Sequence, residues 1–197
     1  MVKRPALPTP GSAPEPDPGA VAAPSRAEGV QWDRWSVILL KPDCVQRGLV
    51  DDVLACLGEH VEIRGRQEAT VTEEQIFAHY DDMLAPQVST EFGLDVAADL
   101  RRLFVGRQVC VALGHGPAAP ARLRELIGPT DPSLAGAATI RGRFGIDSLT
   151  IARSEGRLID NLIHTSDNAA VVERDFGIWY GPSMRHLLTP TADRSTT

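Results

Sequence analysis

Seven residues, WSVILLK from Trp35 to Lys41, constrain this chain more than any other stretch. The run is short and apolar, and Pro42 closes it, which predicts a buried strand. From Gly48, apolar residues at Leu49, Val50, Val53, Leu54 and Leu57 fall on one helical face, so a helix follows the strand. Val61 to Val71 alternates loosely and predicts a second strand. Thr72-Glu-Glu-Gln75 then has the form of a capping box, opening a helix that carries Phe77, Tyr80 and Met83. Residues 86–105 keep helical spacing at Val96, Leu100, Leu103 and Phe104. Gln108 to Leu113 is the third predicted strand, and a helix over Ala118 to Ile127 ends at Gly128 in the usual C-terminal position. A long loop over residues 129–147 leads to a helical turn at Leu149 to Glu155, stopped by Gly156. Leu158 to His164 is the fourth strand, and a last helix, Asn168 to Phe176, begins after the N-cap types Ser166 and Asp167. This order predicts an α+β fold, the ferredoxin-like βαββαβ sandwich, an antiparallel four-stranded sheet covered by helices.

Composition sets the boundaries. Residues 1–30 are built from Pro, Ala, Gly and Ser, hold seven of the 15 prolines and have no aromatic residue. Such a segment buries too little to offset its ordering entropy and is expected to be a disordered tail. Residues 31–188 form the expected folded domain, and residues 189–197 a flexible C-terminus. A net charge of −6 excludes the broad cationic surface of a protein that wraps nucleic acid, and no stretch has the roughly 20 apolar residues of a membrane span. Cys44, Cys56 and Cys110 are odd in number and lack a C-x-x-C pair, so neither a disulfide framework nor a zinc ribbon is expected. With no apolar signal-peptide core near the start, the expected location is the cytoplasm.

Three groups of residues could carry chemistry. The first is Lys41, which with Lys3 makes the only two lysines among 20 basic residues. Where a chain otherwise chooses arginine, a retained ammonium suggests a site that wants a compact point charge, and a phosphate suits it. The second is His164 in NLIHTSD, where a strand hands over to a helix. A neutral imidazole can attack phosphorus, and the helix N-terminus beyond it favours an anionic group nearby. Arg124, Arg141 and Thr130 form the third group, two cationic forks and a hydroxyl suited to polyphosphate oxygens. Competing chemistries fit less well. Neither lysine follows a glycine as a P-loop requires, and there is no G-x-S-x-G elbow. His60, His79, His115 and His186 lack metal-ligand spacing, and a Cys44–His164 thiol pair has no further support. The segment GHGPAA, Gly114 to Ala119, matches a weak dinucleotide fingerprint but is better read as a glycine-rich strand-to-helix turn.

KPDCVQRGLV, GPTDP, TIRGRF and NLIHTSD followed by GIWY, in that order, resemble the nucleoside diphosphate kinase family over about Trp35 to Tyr180. The resemblance implies a ferredoxin-like fold and a ping-pong reaction. In it a histidine takes the γ-phosphate of a nucleoside triphosphate and passes it to a nucleoside diphosphate, with Mg²⁺ bridging the phosphates. His164 matches the phosphorylated histidine. Lys41 and Tyr80 would lie beside the transferred group, and Arg124, Thr130, Arg141 and Asn161 would hold the nucleotide, Asn161 at the ribose. Ser166 and Asp175 would support the imidazole, Asp175 standing where the family has glutamate. Cys44 stands where it has glycine. An insertion between Tyr80 and the third strand leaves Phe92 or Val96 as the base-stacking residue, and a second, between Arg141 and Asn161, lies where the family holds nucleotide and subunit contacts. Homo-oligomers, tetramers or hexamers, are implied. The alternatives are the same chemistry on a specialised diphosphate acceptor, or a non-catalytic nucleotide-binding regulatory module.

Overall fold

The computed structural model describes residues 29–189. The expected tail over residues 1–30, except Gly29 and Val30, and all but Thr189 of the expected C-terminal segment lie outside the described residues.

Strand β1 (Trp35–Leu40) is buried at every position, as its unbroken apolar run requires. It lies inside a four-stranded sheet of order β2-β3-β1-β4, with β2 Glu62–Thr70, β3 Gln108–His115 and β4 Ile163–Thr165. All three pairings are antiparallel. This is the α+β architecture predicted from the sequence. The β2–β3 ladder slips between Arg64 and Gln67, where Gly65 takes φ +57°, a conformation that a side chain resists, and forms a bulge.

Pro42 ends β1 but also opens a helix. It occupies the first turn of α1 (Pro42–Gln46), where its missing N–H is not needed. Helix α2 (Val50–Gly58) then buries Val53, Leu54 and Leu57. These residues join Ile38, Leu40, Cys110 and Ala112 of the sheet and Leu123 and Ile127 of α6 (Ala119–Ile127) in one hydrophobic core. Close packing accounts for Gly114 in the weak fingerprint, since a Cβ there would lie 2.8 Å from Leu123 Cδ1. The GHGPAA segment is thus a strand-to-helix turn, with Ala118 in the left-handed conformation just before α6.

The predicted capping box is present. Thr72 Oγ1 accepts from Gln75 N at 3.2 Å and Gln75 Oε1 from Thr72 N at 3.1 Å, opening α3 (Glu73–His79). The helical spacing over residues 86–105 resolves into two helices, α4 (Pro86–Phe92) and α5 (Val96–Phe104), separated at Gly93 in the left-handed conformation. The loop predicted for residues 129–147 contains α7 (Ile140–Phe144), capped by Thr139, and α8 (Leu149–Ser154) follows, capped by Ser148. The last helix, α9 (Ala169–Trp179), is capped by Asn168, not by Ser166 or Asp167, and packs against β1 and α3.

The fourth strand is shorter than the predicted Leu158 to His164. Leu162 has φ +68°, which turns the chain just before β4. Backbone donors upstream bond to carboxylates instead of a ladder. Leu158 N donates to Asp99 Oδ2 at 2.6 Å, Asp160 N to Asp147 Oδ2 at 2.9 Å and Leu162 N to Asp43 Oδ2 at 2.9 Å.

Candidate active site

His164 is the middle residue of β4 and pairs with Leu39. Paired residues share a face, so its side chain leaves the sheet on the side where α3 and α9 pack, opposite Ile163 and Thr165. It meets the edge of His79, the last residue of α3, with ring centroids 4.6 Å apart, and Tyr80 at 5.7 Å. Nε2 is buried without a protein partner and faces Asp175, whose Oδ2 is 3.9 Å away. His164 also lines a cavity. Burial first, and then His79 and the charges of Lys41, Arg124 and Arg141, hold the imidazole pKa well below its ordinary value. The ring is therefore neutral near pH 7.

Asp175 is fully buried, yet well partnered. Its Oδ2 accepts from Ser166 Oγ at 2.8 Å. Its Oδ1 accepts from Arg174 Nε at 3.2 Å and Nη2 at 3.1 Å, and lies 3.3 Å from His79 Nδ1. Burial alone would raise the carboxyl's pKa, but His79, Ser166 and Arg174 outweigh it and keep the pKa below its usual value. A buried carboxylate thus stands behind the His164 ring. However, the shorter aspartate stops short of His164 and bonds to its other neighbours.

On the opposite side of the ring lies a cavity of about 330 Å³. Lys41, Tyr80, Arg124, Thr130, Arg141, Asn161 and His164 all line it, so residues from the end of β1 to β4 converge on one cleft. Lys41 caps the end of β1, and its Nζ donates to Asn161 Oδ1 at 2.7 Å. Burial lowers its pKa to about 8, with Asp43 opposing that shift and Arg141 adding to it. Asn161 also donates from Nδ2 to Thr130 O at 2.9 Å. Arg141 is buried and donates to Gly128 O, Ile163 O and Asn161 O at 2.8, 2.7 and 3.2 Å, which locks the strand end to the loop before it. Burial, with Arg124 nearby, lowers its pKa to about 10. Arg124 pairs with Asp167 at 3.0 Å on the surface, a weak pairing that leaves it free to turn toward a ligand. Tyr80 Oη is buried without a protein partner, and burial pushes its pKa up.

The far end of the cleft is apolar. Phe92 lines it, whereas Val96 is fully buried elsewhere, so of the two stacking candidates Phe92 is the one that reaches the cavity. The second insertion supplies a wall through Leu149 and Ala152 of α8 together with Leu158 and Ile159. Arg157 holds that wall through a bidentate pair with Asp147 at 2.6 and 3.1 Å. Cys44 instead joins the core on the other face of the sheet, where burial raises its pKa to about 12. It is an inert thiol, and the Cys44–His164 pair does not form.

His79 lacks metal-ligand spacing in the sequence, but the fold brings it together with His164 and Asp175, their donor atoms all within 4.8 Å of one another. Two imidazoles and one carboxylate suit zinc better than magnesium, which prefers oxygen ligands. The residues lining the cleft include no carboxylate. Among the described residues this lining makes no protein cage for Mg²⁺. Arg174 and Trp179 were also missed. Their only sequence signal was their position on α9, one on each side of Asp175.

Comparison with known proteins shows the family and the fold. The family model described as nucleoside diphosphate kinase matches residues 35–184. A nucleoside diphosphate kinase of Mycobacterium marinum is 31% identical over 147 residues, covering 74% of this chain and 95% of that protein. The chain belongs to the nucleoside diphosphate kinase family. The Pyrobaculum aerophilum relative is 29% identical over 171 residues, covering 74% of this chain and 93% of its own. Among solved structures, a nucleoside-diphosphate kinase of Borrelia burgdorferi, a transition-state mimic with bound vanadate and ADP, superposes with TM-score 0.71 at 28% identity, covering 81% and 92% of the two chains. As a member of that family it is an enzyme, a transferase of phosphoryl groups between nucleotides. Among the described residues no helix is long and apolar enough to cross a membrane.

Proposed function

We propose that this nucleoside diphosphate kinase moves the γ-phosphate of a nucleoside triphosphate to a nucleoside diphosphate in two half-reactions through phospho-His164. One observation carries the reading: a neutral imidazole whose Nε2 faces a buried carboxylate, in a ring that lines a cleft together with Lys41, Arg124 and Arg141. In the first half-reaction the Nδ1 lone pair forms a bond to the γ-phosphorus, the bond from that phosphorus to the β-phosphate oxygen breaks, and the nucleoside diphosphate leaves. The ring keeps its Nε2 proton and gains positive charge, which Asp175 faces. The second half-reaction reverses these steps with a new acceptor. Splitting one transfer into two lets the same cations serve both.

Lys41 and Arg141 neutralise phosphate oxygens, Arg124 closes on them and the Thr130 hydroxyl adds a neutral donor. The Tyr80 hydroxyl, buried without a protein partner, stands ready for a ligand oxygen. Asn161 bonds Lys41 and the loop at Thr130, and turns its amide to the ribose when nucleotide binds. Mg²⁺, carried in on the phosphates, supplies further charge neutralisation. The vanadate and ADP bound in the Borrelia burgdorferi relative support a phosphoryl-transfer site in this fold. We also place the enzyme in the cytoplasm as a homo-oligomer, a tetramer or hexamer.

The wall made by α8 favours a second reading, in which the acceptor is a specialised diphosphate. Acceptors competing for the phosphoenzyme decide between the two. Transfer to the common nucleoside diphosphates supports the general kinase, and transfer to an unusual acceptor alone displaces it. The phosphohistidine itself is tested with γ-labelled ATP. His164→Ala should fold, bind ADP and take no label, and a labelled variant refutes the assignment.

A further inference from the structure

We infer that His79 is a positioning residue for the nucleophile, holding the His164 ring by edge-to-face contact where the Asp175 carboxylate does not reach it. The inference rests on the phosphohistidine reading and extends it to a residue outside the phosphate contacts.

His79 is anchored from several directions. Its ring is fully buried and packs edge-on against Tyr80 at 4.7 Å and Trp179 at 5.7 Å as well as His164 at 4.6 Å. Trp179 Nε1 and Asp175 Oδ1 each lie 3.3 Å from Nδ1, which serves one of the two at a time, accepting from the indole or donating to the carboxylate. Arg174 Nη2 donates to the backbone oxygen at 3.1 Å, tying the end of α3 to α9. A ring held this way cannot turn, and it presents a fixed edge to His164, with an interplanar angle of 79°. His164 has no such anchor. Its Nε2 is 3.9 Å from Asp175 Oδ2, beyond hydrogen-bond range, and has no other protein partner. Shape contact is then what fixes its χ2, and with it the direction of the Nδ1 lone pair. A misplacement of about 1 Å at a reacting atom can cost on the order of 100-fold in rate.

The missing methylene suggests the test. A glutamate adds about 1.5 Å of reach, enough to bring a carboxylate oxygen from 3.9 Å to bonding distance of Nε2. The experiment measures single-turnover phosphorylation by γ-labelled ATP, together with ADP affinity, in full-length protein. His79→Ala should lose roughly tenfold or more in rate while the Kd for ADP stays within about twofold, a kcat-type loss. His79→Phe, which keeps a ring, should lose less than His79→Ala. The double variant His79→Ala/Asp175→Glu should recover at least about threefold over His79→Ala, because the longer carboxylate takes over the positioning. A wild-type rate in His79→Ala, equal losses in rate and ADP affinity, or a double variant no faster than the single overturns the inference. Should His79→Ala fail to fold, His79→Phe and His79→Leu decide, with a faster Phe variant supporting ring contact and equal rates overturning it. A wild-type protein that takes no label overturns the phosphohistidine reading itself and this inference with it.

Discussion

Replacing Asp175 with asparagine keeps the shape of the buried side chain and removes its charge. The carboxylate accepts from Ser166 Oγ at 2.8 Å and from Arg174 at 3.1 and 3.2 Å, and stands 3.3 Å from His79 Nδ1. Hydrogen bonds to a charged group contribute about 1.5–3 kcal/mol each and neutral ones about 1 kcal/mol, so the buried Ser166 bond alone loses about 1 kcal/mol. The Arg174 pair is about one-third exposed on the arginine side, which discounts its share. An amide N–H₂ must also face a donor, whether the Ser166 hydroxyl or Arg174. The sum is about 2–3 kcal/mol, below the 3–5 kcal/mol lost when a fully buried pair is broken. For a protein of this size that corresponds to a fall in Tm of about 5–10 °C. The sign of the pH dependence follows from the depressed pKa. The stabilisation is complete above the unfolded aspartate value of about 3.9 and is lost as pH falls through the lower folded value. Urea unfolding of wild type and Asp175→Asn from pH 7 down to pH 3 should therefore show a gap that is constant above about pH 4 and narrows below it. An asparagine variant as stable as wild type at pH 7, or a gap as large at pH 3 as at pH 7, would refute the reasoning.

Three other outcomes are expected. In the pH profile of kcat/KM, which reports the free enzyme, the acid limb from His164 should lie well below pH 6.5, and the base limb from Lys41 should lie near pH 8. An acid limb at the ordinary histidine value would contradict the buried neutral ring. Gly114→Ala forces a methyl to within 2.8 Å of Leu123 Cδ1 and should cost about 1–3 kcal/mol of stability in chemical denaturation, with the phosphate site unaffected. Arg157→Met leaves Asp147 buried without its bidentate partner and loosens the α8 wall. It should raise KM for nucleotides more than it lowers kcat and reduce stability by about 2–4 kcal/mol, and unchanged KM would remove α8 from the cleft.

The parts of the fold that local chemistry determines were legible in the sequence. The apolar run from Trp35, the capping box at Thr72 and Gln75, and the strand-helix alternation were enough for the sheet and its antiparallel order. Lys41 and His164 stood out because an isolated ammonium and an imidazole at a strand-helix junction are unusual local choices. The parts that depend on distant partners were hidden. Residues 158–162 looked like strand because nothing local tells that Asp99, Asp147 and Asp43 take their backbone donors. Pro42 read as a stop because its role at the first position of α1 depends on the chain turning there. Asn168 caps α9 although Ser166 and Asp167 are equally suitable, since Ser166 is bonded to Asp175 and Asp167 to Arg124. His79 could not be connected to Asp175 from spacing because they meet only through the packing of α3 on α9.

The most direct test of the account is intact-mass analysis of the wild-type protein after brief exposure to ATP and Mg²⁺, followed by peptide mapping. One added phosphoryl group per chain, carried on the peptide containing His164, labile to acid and removed by any nucleoside diphosphate, is the predicted result. A phosphoryl group on a different residue, or turnover of ATP and a diphosphate without a phosphorylated protein, would contradict it.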